Sequence, residues 1–255
     1  EYYVCLPGKS SIWYYYNEEK NRWIEDVQGI MLRKKISTEV FEQIKQHAEH
    51  TYNTQSSIQN EDEDGDFPEN GGEEFETYIK ILKVAGKLKV TSFKNNIMSE
   101  CQELFFDVDK TFYERLDSNT NLIGFNNGVY DLYRGAFRKG RPEDLVSRST
   151  NINYIPYDSE CSQIREVHKF LREVLTITPV REYVIKLMAT FLNGSTKNEK
   201  FHIWAGSGSN GKSKLIELLE KCLGDYSCKM NASNLLQKRN SGAQANPCLL
   251  YTSDA

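Results

Sequence analysis

Residues 201–224 read FHIWAGSGSNGKSKLIELLEKCLG, and the order of the three parts decides how this half of the chain folds. The first five residues are a short apolar and aromatic run suited to a buried strand. Gly206, Ser207, Gly208, Ser209, Asn210, Gly211, Lys212 and Ser213 follow at once and match G-x-x-x-x-G-K-S, the phosphate-binding loop found between a strand and a helix. Leu215, Ile216, Leu219, Cys222 and Leu223 then mark one side of a helix that Gly224 stops. The bare octet arises by chance in about one chain of this length in a hundred. Its flanks are what make it informative.

Each residue type has a task there. The glycines let successive N–H groups converge on a phosphate, and the helix beginning near Lys212 adds its partly positive end. Lys212, the expected catalytic residue, places its ammonium between β- and γ-phosphates, and Ser213 offers its hydroxyl to Mg2+. Asn210 has two readings, a left-handed bend or a contact on the γ-phosphate side. ATP and Mg2+ are the cofactors this predicts. Hydrolysis also needs a strand ending in acids. LFFDVD at 104–109 offers Asp107 and Asp109, but it lies upstream of the loop and inside a helical period. Only some 42 residues follow Ser213, too few for a whole parallel nucleotide-binding domain. The expectation is a chain that binds nucleotide without turning it over alone.

Working upstream, Ile164, Val167, Phe170, Leu171, Val174 and Leu175 form a helical stripe. Thr178 and Pro179 start a second helix that Gly194 ends, so the two make an αα-hairpin. LIGFNNGVYDLYRGAFRKGRPEDLVS at 122–147 reads as a small antiparallel unit with turns at Asn126–Gly128 and Arg134–Gly135. Its Arg134, Arg138, Lys139 and Arg141 are either a solvated loop or phosphate contacts. Residues 10–36 read as strands, with SIWYYYN and NRWIED around a charged turn at 18–20. Ser37 or Thr38 then caps a helix through Val40, Phe41, Ile44 and Ala48. Phe75, Tyr78, Ile79 and Leu82, and later Phe93, Ile97, Cys101 and Leu104, repeat at helical spacing.

With 255 residues, 39% of them hydrophobic, the chain can bury a sizeable core. No apolar run approaches the roughly 18 residues that span a bilayer, so no membrane partner is expected. The opening EYYVCLPGKS lacks an initiator Met and a signal stretch, which reads as the interior of a longer intracellular chain. The net charge of −4 hides nine acids between residues 61 and 76, in a loop spanning 59–76. Set aside, they leave 27 acids against 32 bases, a balance that permits a polyanionic partner. Six scattered cysteines without C-x-x-C spacing fit reduced thiols. His47 and His50 lack the company of a metal motif.

KFHIWAGSGSNGKSKLIELLEKCLGDY, LLQKRNSGAQANP at 235–247 and FNNGVYDLYRGAFRKGRPEDLVS together resemble superfamily 3 helicases, the primase-helicases of large cytoplasmic DNA viruses with phage and plasmid relatives. NRWIED and LRKKIS add to the likeness. The resemblance implies an α+β N-terminal module of poxvirus type over 1–160, then the start of an α/β, AAA+-like P-loop ATPase over 161–247. It implies a homo-hexameric ring that spends ATP to move along single-stranded DNA and unwind forks, in host cytoplasm or virus factory. Gly206, Gly211, Lys212 and Ser213 take the phosphate and Mg2+ roles by that resemblance, while Lys238 and Arg239 stay unassigned. The acidic second motif, polar sensor and arginine finger would lie past this chain, and a primase site before it. CLLYTSDA at 248–255 reads as translated sequencing adapter and is set aside. Two rivals remain: a P-loop kinase or other NTPase, and an interaction module that docks through 1–160 and binds ATP without turnover.

Overall fold

A computed structural model describes residues 2–6, 12–59, 73–107, 111–195, 200, 202–206, 208 and 210–230, the side chains of 55–59, 73 and 74 excepted. It mixes helices with two small antiparallel sheets. Two compact units emerge, Glu1–Tyr15 with Ile24–Tyr113, and Tyr16–Trp23 with Glu114–Ala255, and the second runs across residue 160.

In the first unit, β1 (Tyr3–Leu6), β2 (Ile12–Asn17) and β3 (Arg22–Val27) form one sheet in that order. Trp13, 2% exposed, anchors its core with Cys5, Leu32, Ile36, Leu88 and Met98. The strands end sooner than the sequence predicts. Gln28 and Gly29 take positive φ (59° and 65°), and the chain turns into α1 (Ile30–Lys35). Asp26 causes this, because its carboxylate oxygens accept the Met31 N–H at 3.1 and 2.9 Å and so cap the helix start. The helical run continues through a π-turn (Ile36–Val40) into α2 (Phe41–Gln59). Ser37 and Thr38 are therefore not caps: their hydroxyls donate back to the Arg33 and Lys34 carbonyls at 3.1 and 3.0 Å, inside the helix.

Packed against α2 is α3 (Glu73–Lys87), followed by α4 (Thr91–Leu104) and α5 (Thr111–Arg115). Residues 73–76 of the expected acidic loop are thus helical, and 60–72 lie outside the described residues. Asp107 sits past the end of α4, not within a helix, and accepts the Phe112 N–H at 2.9 Å. It caps α5. Asp109 lies outside the described residues.

The second unit is built on β4 (Leu122–Phe125), β5 (Gly128–Asp131) and β6 (Ala136–Arg138), with Phe125 opposite Gly128 and Tyr130 opposite Phe137. Leu122, Val129 and Val146 fill one face, and Phe125, Tyr130 and Phe137 meet Tyr154 on the other. Gly128 is required by close approach, since a Cβ there would stand 2.4 Å from the Arg138 carbonyl. Residues 16–23 join this unit through Trp23, whose backbone N–H reaches the Val146 carbonyl and whose indole N–H reaches that of Pro142, both at 2.8 Å. Helices α6 (Ser162–Val174) and α7 (Thr178–Thr190) form the expected hairpin, and α8 (Lys212–Leu223) follows. Thr178, expected as the cap of α7 with Pro179 first in the helix, is itself the first helical residue, Ile177 takes the capping position, and the helix ends at Thr190, short of Gly194.

One expected strand is not formed. Residues 202–206 carry no regular structure and belong to neither sheet, and Ile203 is 81% exposed. A parallel strand is defined by its neighbours, and neither described sheet supplies one.

Candidate functional site

The octet leads into α8 through Gly211, whose φ of 78° is a left-handed entry that a side chain resists. A Cβ on Gly211 would also stand 2.6 Å from Val174, so the loop lies close against the end of α6. Leu215, 1% exposed, seats α8 on Leu171 and Val184 of the hairpin, with Trp204 and Met188 beside them. The buried stripe is narrower than its spacing suggests, because Ile216 is 43% exposed and Cys222 is exposed as well.

Lys212 curls back over its own loop. Its ammonium donates to the Gly206 carbonyl at 3.2 Å and to the Asn210 side-chain oxygen at 2.5 Å. A Cβ on Gly206 would meet that ammonium at 2.8 Å and the Asn210 amide nitrogen at 2.5 Å, so a side chain there would displace the two side-chain ends. Ser213 is exposed in the first turn of α8, where backbone N–H groups have no partners within a helix. Gly208 has nothing within 4 Å of an added Cβ. Ser207 and Ser209 lie outside the described residues, as do Lys238, Arg239 and 248–255. A cation and an exposed hydroxyl thus belong to the first two residues of a helix. That donor set suits a polyphosphate with its Mg2+.

The upstream bases are engaged differently. Arg138 grips Asp144 with two bonds of 2.7 Å, which raises the guanidinium's hold on its proton. Arg134 lies 3.7 Å from Asp131. The nearby cavity, lined by Arg115, Arg138, Asp131, Glu143 and Asp144, sets more acids than bases and does not select an anion. His47 and His50 lie exposed on α2, and no cluster of three metal-ligating side chains occurs among the described residues. Burial pushes the thiols of Cys5 and Cys101 up, away from the reactive thiolate. No described helix is long and apolar enough to cross a membrane.

A feature the sequence reading missed lies at the other end of α8. Gly224 takes φ 54°, and a Cβ there would stand 2.5 Å from the Thr150 backbone. Next to it, Asp225 accepts from the Ser149 N–H at 3.1 Å, the Asn151 amide at 2.7 Å and the Arg22 guanidinium at 3.0 Å. The Asp225 N–H donates to the Ser149 carbonyl at 2.9 Å. Burial pushes this carboxyl up, but the Asn151, Ser149 and Arg22 bonds outweigh it and hold it below its ordinary value. The Tyr226 hydroxyl accepts the Gly124 N–H at 2.8 Å and donates to the Arg148 carbonyl at 3.1 Å. Burial foremost pushes that phenol up to about 12. The only local signal was GDY after a helix stop, which names no partner.

Known proteins resemble this chain along most of its length. A protein of Acanthamoeba polyphaga mimivirus, named as a candidate helicase, is 38% identical over 245 residues, covering 96% of this chain and 24% of the relative. A candidate helicase of Invertebrate iridescent virus 3 is 31% identical over 175 residues, 68% of this chain and 18% of that one. A candidate primase of African swine fever virus is 26% identical over 180 residues, again 68% and 18%. The chain thus spans about a quarter or less of the length of these relatives. The family described as D5 N terminal like matches residues 1–176, well over half of the sequence, and the chain belongs to that family.

Proposed function

We propose that this chain is part of an ATP-dependent replicative DNA helicase of a large DNA virus, and that it contributes the phosphate-binding start of the ATPase. The observation that carries this is the junction of Gly206–Ser213 with the first turn of α8, where the Lys212 ammonium and the Ser213 hydroxyl lie at a helix N-terminus. The helicase and primase names of the viral relatives support the choice of helicase over other nucleotide users.

In this reading residues 206–213 bind ATP and Ser213 holds its Mg2+, which together supply the hydrolytic energy when bound. Lys212 exchanges two neutral acceptors, Gly206 and Asn210, for charged phosphate oxygens. A phosphate oxygen adds the attraction of opposite charges to the ammonium's hydrogen bonds, so the exchange is favourable. Residues 161–247 begin a superfamily 3, AAA+-like ATPase, 1–160 form its N-terminal module, and the complete protein works on single-stranded DNA as a hexamer.

The test is ATP hydrolysis by the longer protein with and without single-stranded DNA, and with Lys212→Ala. DNA-stimulated turnover that the substitution abolishes is expected. Turnover indifferent to DNA would favour a kinase or another NTPase, and binding without turnover would favour the interaction module.

A further inference from the structure

The family match ends at residue 176, yet the sheet inside it is closed by residues 50 positions further on. Gly124 belongs to β4, and Arg148, Ser149 and Asn151 to the segment that covers the sheet. All four are held by Asp225 and Tyr226, which extend directly from α8. The polar links are of the rigid kind. Tyr226 supplies donor and acceptor to two backbone groups, and Asp225 donates its N–H to the Ser149 carbonyl while its carboxylate accepts the Ser149 N–H. Gly224 permits the contact, since any side chain would collide with Thr150. At its other end α8 carries Lys212 and Ser213 and is seated by Leu215.

We propose that Asp225 and Tyr226 are positioning residues for the phosphate loop: they fasten the far end of α8 to β4 and residues 148–151, so that nucleotide bound at Lys212 stabilises that sheet. The second half rests on the function proposed above. The fastening itself does not. One helix spans the distance between the two sites, and a 12-residue helix seated at one end and pinned at the other moves as a rod. Openings of the sheet that free Asp225 and Tyr226 also release α8, and so share their free energy with nucleotide binding.

Hydrogen exchange of the 255-residue chain tests this, with and without Mg-ATPγS at about ten times its Kd, in the parent sequence, Tyr226→Phe and Asp225→Asn. Linkage at that ligand level slows exchange through nucleotide-releasing openings by about tenfold. In the parent sequence peptides covering 122–125 and 148–151 are expected to slow together with 206–215. In the two variants 206–215 still slows while the sheet peptides respond by less than half as much, and α2 exchanges as before. Equal slowing of the sheet peptides in parent and variants would overturn the proposal, as would their indifference to bound nucleotide in the parent. If 206–215 never responds to nucleotide, the function proposed above fails instead. The fastening is then read without ligand: Asp225→Asn and Tyr226→Phe must accelerate exchange across 212–223, and unchanged rates there overturn it.

Discussion

At the N-terminal end of α8 the polar bonds are local. Among the described residues Lys212 reaches back to Gly206 and Asn210, and Ser213 lies exposed. At the C-terminal end they are long-range, with Asp225 and Tyr226 gathering Arg22, Gly124, Arg148, Ser149 and Asn151. One end is a loop whose cation is bonded to neutral oxygens, which in the proposed function a phosphate replaces. The other is a joint in which the Asp225 carboxylate and the Tyr226 hydroxyl are already bonded. A helix built this way presents an adaptable charge from an immobile base, which is what binding a polyanion at a set position requires.

Substitutions at the two ends should therefore differ in kind. The largest loss of stability is expected at Gly224→Ala, where a new Cβ meets the Thr150 backbone at 2.5 Å and φ is 54°. Strain and collision together should cost about 2–4 kcal/mol in urea unfolding. A cost under about 0.5 kcal/mol would mean the joint yields freely. Tyr226→Phe keeps the ring but leaves the Gly124 N–H and Arg148 carbonyl without that partner, so a loss of about 1–2 kcal/mol is expected by the same measurement.

The Asp225 pair with Arg22 should contribute less, because the carboxylate side chain is 41% exposed and solvent screens it. Its signature is the pH dependence. The folded carboxyl titrates below its ordinary value. Its stabilisation is thus complete above the unfolded value of about 4 and is lost as pH falls through the lower folded one. The difference in unfolding midpoint between the parent chain and Asp225→Asn should shrink on going from about pH 5 to about pH 3. A difference that stays constant over that interval would show that charge plays no part. The smallest effect is expected at the opposite end, where Asn210→Ala removes a bond within an exposed loop. Stability should change by less than about 0.5 kcal/mol, and a larger loss would erase the contrast between the two ends.

That contrast also marks what the sequence discloses. The start of α8 at Lys212 was legible because Gly211 before it and the apolar periodicity after it lie within a short span. The α6–α7 hairpin and the turn at Asn126–Asn127 were legible for the same reason, their signals being periodicity and turn chemistry over short spans. The joint was not, since Arg22 and Asp225 are 203 residues apart and nothing near either points to the other. Distance need not be large to mislead. Ile30–Lys35 reads as strand until Asp26, five residues before Met31, is seen to cap a helix there. Residues 202–206 show the converse, a strand-like composition with no described neighbour to complete a ladder.

The most direct measurement is a calorimetric titration of Mg-ATP into the chain and into Lys212→Ala, with folding of both checked by circular dichroism. Saturable binding by the parent chain, weakened at least about tenfold by loss of the charge-assisted bonds in the variant, is the predicted result. Equal affinity in the two folded proteins, or no binding by the parent, would contradict the assignment of the α8 N-terminus as a nucleotide site.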